Sequence, residues 1–155
     1  MTSGMTPIVK NTARLVSGFI AIFGIYVALT GHISPGGGFA GGVILAAAAV
    51  LIVLAFGRQT AEKMITESGC HLYDAAGAAG FLLVAVFGYL AGGFFVNFLA
   101  RHGVGTAGRF WSGGTIILSN LFILVKVAAG LAGAFLALAA FRRAHMPDGH
   151  PGEES

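Results

Sequence analysis

The sequence predicts an all-α integral membrane protein, a bundle of four transmembrane helices with a glycine-rich turn between helices 1 and 2. Three observations point there. Of 155 residues 56% are hydrophobic and only 10% charged, against about 25% charged in soluble domains. Four apolar runs approach or exceed the roughly 20 residues that a hydrocarbon core requires. The basic residues fall at the edges of those runs, which makes the formal charge of +3 a matter of membrane topology rather than of nucleic-acid binding. With a mean hydropathy of +0.85, a soluble chain of this length could not hide its apolar surface. The lone Cys70 allows neither an internal disulfide nor a CxxC metal site and reads as a small, partly buried thiol.

The first span is Leu15–Thr30, preceded by a polar segment holding Lys10 and Arg14. A signal peptide fits poorly, because no small-x-small cleavage site precedes a polar mature start. The second span, Phe39–Gly57, ends at Arg58 and opens on the pairs Gly37/Gly41 and Gly38/Gly42, whose four-residue spacing lets another helix come close. Arg58–Asp74 is an amphiphilic connection, with a short interfacial helix expected over Thr60–Ser68. The third span runs from Ala75 to Leu99 and carries Gly88 and Gly92, again four apart. Trp111, in the connection that follows, suits a headgroup-level anchor. The fourth span is Ile116–Phe141, closed by Arg142 and Arg143. One domain is therefore expected over residues 1–143, with a disordered polar tail over 144–155. Six of the lysines and arginines (Lys10, Arg14, Arg58, Lys63, Arg142, Arg143) lie on one side and two (Arg101, Arg109) on the other. The positive-inside bias then puts both termini in the cytoplasm, for a multi-pass protein of the cytoplasmic (inner) membrane.

Lys126 is the strongest chemical signal. It lies ten residues into the fourth span, about 15 Å of helical rise and so near mid-membrane. An ionised group there costs about 2.5–3.5 kcal/mol even on the insertion scale, so it is a functional candidate by default. The six acidic residues read as lying in the second connection (Glu62, Glu67, Asp74) or in the tail (Asp148, Glu153, Glu154). Lys126 is thus expected to be neutral, to face water, or to meet an acid from another subunit. Asn97 and Asn120 sit near the same ends of adjacent antiparallel spans, where an interhelical hydrogen bond is expected. Asn120 and Lys126 are six residues apart, about 240° around a helix, and do not share a face. His32 can titrate near neutrality in a proton relay, or bond a nearby carbonyl as an interface residue.

The turn Pro35-Gly36-Gly37-Gly38-Phe39-Ala40-Gly41-Gly42 satisfies GxGxxG at Gly36, Gly38 and Gly41, with Glu62 about twenty residues on. The flanks are spanning runs rather than a strand and a soluble helix, which excludes a dinucleotide site. Ser34 is placed to cap the second helix and Pro35 to open it. Two rewards for so glycine-dense a stretch remain open: close approach of helices, or backbone amides offered to water or a neighbour's acidic side chain.

Gly31-His32 followed by Pro35-Gly36-Gly37-Gly38-Phe39 and Gly41-Gly42 resembles the hallmark of the B subunit of Mrp (Mnh) multisubunit cation/proton antiporters. Length, four-span pattern and a last span bearing Asn120 and Lys126 are also similar, and related subunits occur in membrane-bound hydrogenases. The resemblance implies an accessory subunit that is not an enzyme and packs against other small membrane subunits of a complex exchanging Na⁺ for H⁺; it does not imply that this chain holds the cation, and no cofactor or metal is expected. The alternative it implies is a scaffold or ion-path subunit of a redox-driven complex. Lys126, His32 and Asn120 are the ion-path candidates. A stand-alone exporter is disfavoured by the absence of a carboxylate from the spans as read. Hard cations prefer oxygen ligands.

Overall fold

The structure is a computed structural model that describes residues 5–57, 66–99 and 112–145. Among the described residues there are four helices: α1 (Pro7–Thr30), α2 (Gly38–Phe56), α3 (Glu67–Leu90) and α4 (Thr115–His145). All four are long and apolar enough to cross a membrane, and the chain is a multi-pass membrane protein. The interfacial helix expected at Thr60–Ser68, the Trp111 anchor and the tail lie wholly or largely outside the described residues.

The helices do not close on one another equally. α1 packs along α2, α2 along α4, and α3 along α4, with a smaller contact between α1 and α4. Across the molecule the order is α1, α2, α4, α3, and α4 is the central member. Only 22–33% of each spanning stretch is buried, and Phe19, Ile22, Leu82 and Leu83 are exposed. A chain so laid out needs lipid or other subunits on its outer faces, because apolar surface of this extent is not left to water.

Small residues set the separations. A Cβ on Gly41 would lie 2.5 Å from the carbonyl oxygen of Gly24 and 2.9 Å from Ala28 Cβ, so Gly41 faces α1. One on Gly42 would lie 2.7 Å from Val127 Cβ, so Gly42 faces α4. Gly41 and Gly42, one from each GxxxG pair read from the sequence, therefore face two different neighbours. On α3, Gly77 meets the Lys126 backbone of α4 and Gly80 lies under the Phe122 ring. At the end of the molecule that carries the termini, Val53, Cys70, Ala132 and Leu136 join α2, α3 and α4 in one apolar cluster. There the Arg14 guanidinium lies 5.2 Å from the centroid of the Phe56 ring, a cation–π contact between α1 and α2.

Two boundaries differ from expectation by about two turns. α1 begins at Pro7, whose fixed φ suits a first helical position, so the polar residues up to Arg14 are helical rather than tail. α3 begins at Glu67 and ends at Leu90, displaced from the expected 75–99 toward its N-terminus. Gly92 at φ 119° and Phe95 at φ 56° turn the chain back. Phe95 then stacks 5.2 Å from the Phe81 ring and Phe98 6.4 Å from Phe87. Gly88 accordingly lies beneath the returning Phe95–Val96 backbone, and the Gly88/Gly92 pair is not a helix-packing face.

Candidate functional site

The displaced start of α3 changes the chemistry of the span. Asp74, read as part of a connection, stands seven residues inside α3, about 10 Å along the helix. Lys126 stands eleven residues inside α4, about 16 Å from its start. The helices run antiparallel and cross through Gly77, where a Cβ would lie 2.8 Å from both Lys126 Cβ and Lys126 N. That closeness lets Lys126 Nζ donate to Asp74 Oδ1 at 2.8 Å. The expectation that no acid lies in a span, and that this chain cannot neutralise Lys126 by itself, is overturned. With Asp74 inside a span, a stand-alone exporter is no longer disfavoured for want of an intramembrane carboxylate. Gly130 completes the surroundings, since a Cβ there would lie 3.3 Å from Asp74 Oδ1. The pair is not enclosed: the lysine side chain is 47% exposed and the aspartate 38%.

The second locus is the turn between α1 and α2. Ser34 does not cap α2; its Oγ donates to the Thr30 carbonyl and lies 3.2 Å from Thr30 Oγ1, closing the end of α1 instead. Pro35 lies ahead of α2, whose N-cap is Gly37 at φ 126°. Gly36, at φ 151°, crosses so close to Val27 that a Cβ would lie 2.7 Å from Val27 Cγ1. Gly31 lies against the Gly37 backbone, and Gly38 against the Asn120 carbonyl of α4 with Ile123 Cβ at 2.8 Å. Of the two rewards for the glycine-dense stretch, close approach is the one this geometry displays. Phe39 is exposed at 68%, outside these contacts.

Asn120 belongs to this turn, and Asn97 to the start of α4, where its Oδ1 accepts from Thr115 N at 3.2 Å. Replacing Asn97 with Ala removes that cap and is expected to cost about 0.5–2 kcal/mol, read as a lowered midpoint of thermal unfolding in detergent. His32 packs its ring on Gly113, at 2.9 Å from a Cβ built there to His32 Cγ. Both of its ring nitrogens are buried and without a hydrogen-bond partner among the described residues. The three sequence candidates thus divide: His32 and Asn120 gather at the turn end, while Lys126 lies deeper with Asp74. Sequence reasoning missed Asp74. The available signal was helical spacing, since Cys70, Asp74 and Gly77 recur at intervals of four and three on one face. No group of three or more potential metal ligands occurs among the described residues.

Residues 8–133 match the model of a protein family described as a domain related to the MnhB subunit of Na⁺/H⁺ antiporter. The chain belongs to this family. The MnhB-related domain reaches from the start of α1 to beyond Lys126, so both loci lie inside it. It is 37% identical over 133 residues to an uncharacterised protein of Methanocaldococcus jannaschii, covering 83% of this chain and 50% of that protein. It is 37% identical over 81 residues to the B subunit of the Na⁺/H⁺ antiporter of Bacillus subtilis, covering 52% of this chain and 54% of that relative. Among solved structures, it superimposes with a TM-score of 0.74 and 30% identity on a chain of the membrane-bound sulfane sulfur reductase, an archaeal respiratory membrane complex. That match covers 88% of this chain and 59% of the other. The chain spans about half the length of each of these two relatives.

Proposed function

We propose that this chain is an accessory transmembrane subunit of a multisubunit Na⁺(cation)/H⁺ antiporter, packing against neighbouring small subunits and supporting or lining an ion path. Family membership supplies the class. The observation that carries the site is the Asp74–Lys126 pair, a net-neutral polar element partly open to its surroundings in helices otherwise apolar enough to span. Intramembrane ionisable residues mark ion pathways and relays far more often than they face lipid. Pairing offsets part of the cost of holding both groups within the span, and opening the pair would offer both to a passing ion or water. His32, with unpartnered ring nitrogens, and Asn120 are the candidates at the turn end of such a path. Both termini are taken as cytoplasmic, on the lysine and arginine distribution.

The test is cation-dependent proton exchange in everted membrane vesicles holding the native assembly. Omitting this chain is expected to abolish the exchange and re-supplying it to restore it. Lys126→Met at wild-type chain level is expected to depress it strongly. Undiminished exchange without the chain would defeat the proposal. A second reading, a scaffold or ion-path subunit of a redox-driven complex, is favoured by the likeness to a chain of an archaeal respiratory complex. Iron–sulfur absorbance co-purifying with the chain would select it.

A further inference from the structure

The bond within the pair engages one carboxylate oxygen and one N–H of the ammonium. The rest of both groups belongs to side chains 38% and 47% exposed, about 10–16 Å along their helices from the ends. That depth lies inside the spanning stretches Ser68–Leu90 and Thr115–Ala140. Facing hydrocarbon, polar atoms left over from one hydrogen bond would have nothing to bond. The described residues of this chain offer those atoms no further polar partner.

The charge count selects what kind of group. Asp74 and Lys126 already cancel, so a further acid or base brought against them would leave an uncompensated charge in the membrane. An uncharged side chain able both to donate and to accept satisfies the carboxylate and the ammonium together. The adjoining surface selects the carrier. Lys126, Gly130 and Ala134 follow at four-residue steps on α4, and all three are exposed. Ala78, one turn beyond Asp74 on α3, is exposed as well. Small residues in these steps let a helix backbone approach closely, whereas other outward faces present bulky groups such as Phe19, Ile22 and Leu83.

We propose that the α3–α4 face centred on Asp74 and Lys126 docks a transmembrane helix of a neighbouring, non-identical subunit that presents an uncharged hydrogen-bonding side chain to the ion pair. This rests on the reading of the chain as a subunit of a larger membrane assembly. The test uses Ala134→Cys in the full chain, in which the one native cysteine, Cys70, is 5% exposed and contributes little background. Labelling by a bilayer-soluble maleimide is expected with the chain alone in nanodiscs and is lost in the native assembly. A short bifunctional thiol cross-linker in the assembly is expected to yield a product with a different subunit. The paired variant Asp74→Leu/Lys126→Met is expected to lower recovery of that subunit in mild detergent. Labelling that persists in the assembly, cross-links confined to a second copy of this chain, or undiminished recovery with the paired variant each overturns the docking proposal while the subunit reading stands. A chain that purifies with no other subunit overturns the subunit reading itself.

Discussion

Replacing Asp74 with leucine is expected to deplete the chain from the membrane, and adding Lys126→Met to the same chain is expected to restore most of it. The bond from Lys126 Nζ to Asp74 Oδ1 is what lets an ammonium reside within a span. Without its partner, that ammonium costs about 2.5–3.5 kcal/mol on the insertion scale, roughly two orders of magnitude in the inserted population. Neither leucine nor methionine carries a charge or a hydrogen-bonding donor, so the paired variant strands nothing within this chain. The α3–α4 packing through Gly77 and Gly80 is untouched by it. Quantitative blotting of membrane fractions reads the recovery. Equal depletion in the single and paired variants would show that the two residues act separately.

Substituting Gly38 or Gly42 with valine is expected to be nearly as damaging, for reasons of space rather than charge. At Gly38 a Cβ would overlap the Asn120 carbonyl, and at Gly42 it would lie 2.7 Å from Val127 Cβ and 3.0 Å from the Leu124 carbonyl. Carbonyl oxygens of a helix cannot swing aside as the end of a flexible side chain can, so α2 has to move off α4. Overpacking typically costs about 1–3 kcal/mol, occasionally more, and here it falls on the central helix. The control is Gly18→Ala on α1, where nothing lies within 4 Å of the added Cβ. That change is expected to be neutral or to stabilise by about 0.5–1 kcal/mol through helix propensity. Thermal unfolding in detergent, followed by circular dichroism at 222 nm, separates the two cases.

The number of helices and their approximate positions were legible because spanning length and the absence of charge are strong constraints. The glycine spacing at 37–42 was legible too, since small residues four apart have few uses within a span other than close packing. What escaped was the start of α3. A hydropathy reading ends a span at the first charged residue and so trimmed the helix to Ala75, assigning Asp74 to the loop. The structure continues the helix through Asp74 because a carboxylate that meets an ammonium need not stay in water. The far end was misjudged for the opposite reason: Ala91–Leu99 is as apolar as what precedes it, and only Gly92-Gly93 marks the turn. Ser34 was misassigned because N-cap residues and residues that close the end of the preceding helix look alike when two helices are joined by a short loop.

The site stands or falls with the neutralisation of Lys126 by Asp74 of its own chain. An experimental structure of the native assembly in lipid nanodiscs, resolved well enough to place both side chains, decides this. The expected result is Lys126 Nζ within hydrogen-bond distance of Asp74 between α3 and α4, with α3 helical through Asp74. A Lys126 ammonium bonded to an acid of another subunit, with Asp74 at the membrane surface, would refute it.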